Sequence, residues 1–214
     1  TESDMKVWHC GGARSLRPLW TLEELGLDYE LEVLPFPPRV MQPDYLQTNS
    51  LGTVPYFTDG DTVMTESSGI CQYLVDRYGN HGLGLRPEDP EYGAYLNWLH
   101  HSDATLTFPL TIALRYYFFE PDPAKRTVAD DYAKWFRARL RRLDACVEQQ
   151  EYLVAGRFTI ADIAVGYALF LGQMVHLDKY YKPATAAYLQ RLMARPAFQR
   201  ANAHGEPLVL PDVV

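Results

Sequence analysis

The sequence predicts a small α/β sheet domain over residues 1–80, a linker over 81–90 and an all-helical domain over 91–214. Three observations point there. Strand-like and helix-like segments alternate in the first part. Pro and Gly then punctuate residues 80–90. Every periodic segment beyond them has helical spacing.

The elements follow in order. Residues 6–9 read as a strand, followed by the flexible Gly11-Gly12. A helix begins near Ser15, which suits an N-cap, with Pro18 in its first turn. Leu16, Leu19, Trp20, Leu22 and Leu25 recur at helical spacing, and Gly26 ends the run. Residues 29–34 alternate as a second strand, and 35–43 form a Pro-rich break. Residues 54–57 and 62–64 flank Asp59-Gly60, a hairpin turn signal. Ser67 is expected to cap a helix carrying Ile70, Tyr73, Leu74 and Tyr78 on one face, closed by Gly79. Residues 91–117 predict a long aromatic helix bent at Pro109, and 127–149 a strongly amphipathic one. Thr159-Ile160-Ala161-Asp162 is a capping-box variant before a buried helix over 163–171. A last helix spans 183–194 and closes at Arg195-Pro196.

Composition bounds the function. The 214 residues are 47% hydrophobic and 22% charged, which excludes a disordered chain. A net charge of -7 argues against nucleic-acid binding. No apolar run approaches the roughly 20 residues of a membrane span. Residues 1–4 read as a polar lead-in without the pattern of a secretory signal. Cys10, Cys71 and Cys146 are an odd, widely spaced set. They predict neither disulfides nor a metal site, and fit a reducing cytoplasm.

Four segments carry a resemblance. They are Gly12-Ala13-Arg14-Ser15-Leu16-Arg17 before Trp20-Thr21-Leu22-Glu23-Glu24-Leu25-Gly26-Leu27; Asn49-Ser50-Leu51-Gly52-Thr53-Val54-Pro55; Thr65-Glu66-Ser67-Ser68-Gly69-Ile70; and Phe158-Thr159-Ile160-Ala161-Asp162. In this order and spacing they resemble the cytosolic glutathione transferase family over nearly the whole chain. The resemblance implies a thioredoxin-like N-terminal domain, an all-α C-terminal bundle, a homodimer, and glutathione used in detoxification against a small hydrophobic electrophile. It also implies a cis Val54-Pro55 bond, with the Val54 backbone meeting the cysteinyl backbone of glutathione. Glu66 would meet the γ-glutamyl ammonium group, and Ser67 its carboxylate, at a helix N-terminus. The lysine and histidine that commonly hold the glycine carboxylate are missing. Thr53 stands at the lysine position, and Arg39 or Gln42 is the substitute.

The first turn departs from the tyrosine-, serine- and cysteine-using classes. Ser15-Leu16-Arg17-Pro18 is most similar to the turn of bacterial glutathione-dependent β-aryl-ether-cleaving enzymes. Ser15 is thus the expected donor to the thiol, with Arg14, Cys10 or backbone groups as alternatives. A helix cap is an equally good reading of Ser15. Cys71 reads as a packed small residue, His100-His101 as a polar helix face and Asp162 as a cap.

Fifteen tyrosines and four tryptophans are rich for this length. Trp98, Phe108, Tyr116 and Tyr117 are expected to line an acceptor pocket between the domains, against the alternative that they fill the bundle core. The function expected is a glutathione-dependent transferase acting on an aromatic electrophile by conjugation or ether cleavage. The rivals are a non-catalytic binding protein on the same fold and thiol redox chemistry through Cys10.

Overall fold

The computed structural model describes residues 3–79 and 81–214. Thr1 and Glu2 of the lead-in, and Asn80 at the linker, lie outside the described residues. The chain divides into two compact units, Thr1–Gly84 with Ala194–Leu208, and Leu85–Met193 with Val209–Val214. The division falls inside the expected linker, where Leu83 and Leu85 are buried.

In the first unit, β1 (Met5–His9), β2 (Glu30–Val33), β3 (Tyr56–Asp59) and β4 (Thr62–Met64) form one sheet of order β2-β1-β3-β4. β1 runs parallel to β2, with Lys6 opposite Glu30, and antiparallel to β3, with Trp8 opposite Tyr56. Alternation along β1 turns Met5, Val7 and His9 inward. α1 (Leu16–Leu25) ends at Gly26 in the left-handed conformation, as its sequence signal predicts. α2 (Pro38–Met41) is a single turn inside the Pro-rich break. α3 (Ser67–Tyr78) follows the hairpin, and both Tyr73 and Tyr78 donate hydrogen bonds to Asp59 Oδ2.

The second unit is helical. The long aromatic segment is α4 (Tyr92–His101), a π-helical stretch (Ser102–Thr107), α5 (Phe108–Leu114) and a second π stretch (Arg115–Phe119). The widening starts where hydroxyls capture backbone carbonyls. Ser102 Oγ donates to Leu99 C=O and Thr107 Oγ1 to Ser102 C=O, each at 2.6 Å. Pro109, which cannot donate, then sits in the first turn of α5. The segment expected over 127–149 is two helices, α6 (Arg126–Arg139) and α7 (Arg141–Val147), divided at Leu140. α8 (Ile160–Met174) carries the expected capping box and is buried almost all round. α9 (Pro183–Met193) matches its prediction within a residue.

α10 (Pro196–Asn202) differs from the sequence reading, which takes Arg195-Pro196 as a stop. Pro196 occupies the first helical position, where the missing N–H costs nothing. α10 packs on α1 within the first unit. Phe198 meets Trp20 edge-on at 4.9 Å. Arg195 pairs with Glu24 at 2.6 Å and Arg200 with Glu23 at 2.8 Å. No described helix is long and apolar enough to cross a membrane.

Candidate active site

The loop from β1 to α1 is tightly wired. Gly12 takes a positive φ of 73°. Ala13 N–H donates to Cys10 C=O, Leu16 N–H to Ala13 C=O, and Arg17 N–H to Arg14 C=O. Ser15 closes this turn from inside. It is fully buried, its backbone is already helical, and its hydroxyl makes no capping bond. The expected N-cap role is therefore absent.

The Ser15 hydroxyl is held by other groups. Its Oγ lies 2.6 Å from His9 Nδ1 and accepts the Cys10 N–H at 3.3 Å. His9 Nε2 stands 3.2 Å from the His204 carbonyl. A carbonyl only accepts, so Nε2 carries the ring proton and Nδ1 offers a lone pair. Ser15 must donate to that lone pair. Burial drives the His9 pKa down to about 4, so the ring is neutral and keeps that lone pair at neutral pH. In this arrangement the single proton of Ser15, the expected donor to a bound thiol, goes to His9 Nδ1. Cys10 does not replace it. Burial pushes its thiol up to about 12, and Sγ faces the Pro35 carbonyl at 3.7 Å. The reactive thiolate is inaccessible there at neutral pH. Arg14 is the half-buried polar side chain left in the turn.

The remaining expected residues gather in the same unit. The Val54–Pro55 peptide is cis, as expected, and so is Phe36–Pro37, which the sequence reading passes over. Buried Asn49 and Tyr45 hold the preceding loop by donating to the Thr53 carbonyl at 2.8 and 2.7 Å. Val54 is half-buried, and among the described residues its backbone N–H and C=O take no partner from the chain. Arg39 and Gln42, on and beside α2, are exposed. α2 lies directly on the loop: a Cβ on Gly52 would fall 2.6 Å from Arg39 Cβ.

At α3 the cap position belongs to Glu66, not Ser67, and Glu66 makes no side-chain capping bond. The Glu66 carboxylate is exposed and accepts from Thr65 Oγ1 at 2.8 Å. Ser67 is buried, and its hydroxyl oxygen accepts from Arg17 Nη1 at 3.2 Å. Arg17 is itself fully buried, which is rare for an arginine. The sequence reading misses it, because residues 16–22 of α1 are buried on every side and their spacing singles out no face. The guanidinium and the α3 dipole both place positive charge behind Ser67. That geometry suits a ligand carboxylate, while exposed Glu66 beside it suits an ammonium group.

The aromatic candidates divide. Trp98 and Tyr117 are core residues, at 4% and 7% exposure. Tyr117 donates to Asp130 at 2.6 Å, and burial together with that carboxylate raises its pKa. Phe108 is half exposed and packs edge-on to Tyr132. Tyr116 is half-buried between the cations of Arg115 and Lys125. His101 leans on Trp98 at 5.1 Å, half-buried, so the polar-face reading fits His100 only.

Comparison with known proteins follows the same division. The model of the Glutathione S-transferase, N-terminal domain matches residues 11–82, and that of the Glutathione S-transferase, C-terminal domain matches 107–196. The chain is 30% identical to Protein LigF of Sphingobium sp. (strain NBRC 103272 / SYK-6), over 91% of each chain. It is also 30% identical to Glutathione S-transferase 1 of Triticum aestivum, over 88% of each. The glutathione transferase URE2P6 of Phanerochaete chrysosporium, solved in complex with oxidized glutathione, superposes with a TM-score of 0.78. It is 28% identical and covers 93% of this chain and 94% of its own.

Proposed function

The chain belongs to the glutathione S-transferase family, and we propose that it delivers the glutathione thiolate to a small aromatic electrophile. The observation that carries the reading is the Ser67 hydroxyl, seated on the buried Arg17 guanidinium at the start of α3. In this reading Ser67 and the first amides of α3 hold the γ-glutamyl carboxylate, and Glu66 its ammonium group. The unpaired Val54 backbone, led by Pro55, takes the cysteinyl backbone as an added strand would. Arg39, with Gln42 beside it, takes the glycine carboxylate. The sulfur then lies at the start of α1, where the helix N-terminus and Arg14 favour the thiolate over the thiol.

The reaction needs little else from the protein. The thiol proton leaves to water. The sulfur lone pair forms a bond to the electrophilic carbon as the bond to the leaving group breaks, or adds to an activated double bond whose other carbon then takes a proton from water. Proximity supplies most of the acceleration. The assembly this reading implies is a cytoplasmic homodimer. Ether cleavage is the subtype that the first-turn resemblance favours.

Ser15's inward proton favours one rival, a glutathione-binding protein without turnover. A single experiment separates the two. Glutathione affinity is measured calorimetrically, then turnover with an activated aryl halide and with a β-aryl ether. Binding with turnover is expected. Binding without turnover on either acceptor establishes the rival, and absence of binding refutes both.

A further inference from the structure

The β1–α1 turn is held from outside by a segment 195 residues further along the chain. α10 is fastened to α1 by Arg195–Glu24, Arg200–Glu23 and the Phe198–Trp20 contact. It delivers residues 204–206 onto the turn. There the two backbones touch with no space for a side chain. A Cβ on Gly11 would fall 2.0 Å from the Glu206 carbonyl oxygen. A Cβ on Gly205 would fall 2.8 Å from Gly11 N, and Gly205 has a positive φ of 79°. His9 joins the pieces internally, through Ser15 on one ring nitrogen and the His204 carbonyl on the other. Two segments distant in sequence, residues 9–15 and His204, therefore share one hydrogen-bonded chain: Cys10 N–H to Ser15, Ser15 to His9, and His9 to His204. The strap lies beyond residue 196, where the match to the C-terminal domain model ends.

We propose that residues 204–206 are the positioning element of the thiol-binding turn, and that His9 is the positioning residue coupling them to it. This rests on the glutathione reading above. Neither His9 nor Gly205 touches the ligand. They set where residues 11–15 stand, and a displacement of the order of 1 Å at such a turn costs about 100-fold in rate. The γ-glutamyl and cysteinyl clamps lie on α3 and the Val54 loop, so affinity and thiol activation are separately anchored.

Gly205→Ala tests the contact, because its methyl group must push Gly11 away. The expected result is a glutathione KM within about twofold of wild type, a kcat about tenfold lower, and a bound-thiol pKa raised by about one unit. In the ligand-free protein, amide exchange over residues 11–15 should speed up about tenfold, whether or not glutathione binds. His9→Gln leaves the strap contact sterically intact and should shift the same readouts in the same direction. It decides the matter if Gly205→Ala does not fold. A strap that only stabilises the fold would lower the unfolding midpoint and leave thiol pKa and turn exchange unchanged. That result in either folded variant overturns the proposal. If the wild type itself lowers no thiol pKa, the transferase reading fails, and the exchange comparison still judges whether the strap holds the turn.

Discussion

Replacing Arg17 by Met separates the binding role of the buried cation from its packing. Methionine keeps an unbranched apolar stem in α1 and removes the guanidinium. The structure puts that guanidinium 3.2 Å from Ser67 Oγ, out of contact with solvent. A hydrogen bond from a charged donor contributes about 1.5–3 kcal/mol. Without it the Ser67 hydroxyl turns freely, and the charge behind the α3 N-terminus is gone. If that energy is expressed in ligand binding, glutathione affinity falls about 10–100-fold. Folding stability responds as well. Removing one member of a buried charged contact leaves its partners unsatisfied, at a cost of about 3–5 kcal/mol. Urea unfolding should show a loss of that order, so affinity is compared under conditions where both proteins are folded. Calorimetric titration with glutathione, and with an analogue lacking the γ-glutamyl carboxylate, reads the binding part; urea unfolding reads the stability part. The wild type should prefer glutathione strongly, and Arg17→Met should discriminate far less. A folded Arg17→Met protein that binds glutathione with wild-type affinity would refute the reasoning and reduce Arg17 to a packing residue.

Three further outcomes are expected. Glu66→Gln should weaken glutathione binding about tenfold by removing the charge facing the ammonium group, checked by titration; affinity unchanged within error rejects the assignment. Ser15→Ala strips a donor from His9 and an acceptor from the Cys10 N–H, so it should cost about 1–3 kcal/mol of stability in urea unfolding. A loss of bound-thiol acidity with stability intact would restore Ser15 as the thiol donor. His9 titrates near 6.5 when unfolded but at about 4 in the fold, so the unfolded state binds the extra proton between those values. Stability should therefore be fully present above about pH 6.5 and fall by up to about 3 kcal/mol as pH drops towards 4, a slope that His9→Gln flattens. Identical pH profiles for the two proteins would contradict the buried neutral ring.

Most of the fold is legible because its signals are local. Gly26 ends α1, Asp59-Gly60 turns the hairpin, and Thr159 with Asp162 caps α8, each within a few residues of its partner. Asp162 shows where locality stops. Besides its expected cap bond to Thr159 N–H, it accepts from Leu153 N–H and from the Tyr188 hydroxyl at 2.6 Å. The breaks in the second unit's helices are hidden for a related reason. Ser102 and Thr107 look like ordinary helix positions until their hydroxyls meet carbonyls of the preceding turn. α10 escapes a sequence reading because a proline after a helix reads as punctuation, although the same residue is favoured at a helix start. What attaches α10 to the first unit is a pair of arginines against Glu23 and Glu24, over 171 and 177 residues, beyond any window of sequence.

The candidate site divides by the same criterion. Val54, Pro55, Glu66 and Ser67 sit in short motifs whose backbone geometry is set by immediate neighbours: the Val54–Pro55 bond is cis as expected, and α3 starts at Ser67, one residue after its cap Glu66. Ser15 differs, and the reason is a competitor. A serine hydroxyl at the start of a helix has three partners within reach: the helix amides, from which its oxygen accepts, and a ligand sulfur or another side chain, to which it donates. The sequence weighs the first two. The third is decided by the His204 carbonyl, which takes the proton of His9 Nε2 and leaves Nδ1 as a bare lone pair 2.6 Å from the hydroxyl. A buried lone pair without a donor costs about 1–3 kcal/mol. Capping would use the hydroxyl oxygen as an acceptor, worth about 1 kcal/mol, and that oxygen already accepts the Cys10 N–H. The proton is left for the His9 lone pair, and the hydroxyl turns inward. The role of Ser15 is thus set by a backbone carbonyl on the strap, which is why no reading of residues 12–18 alone could assign it.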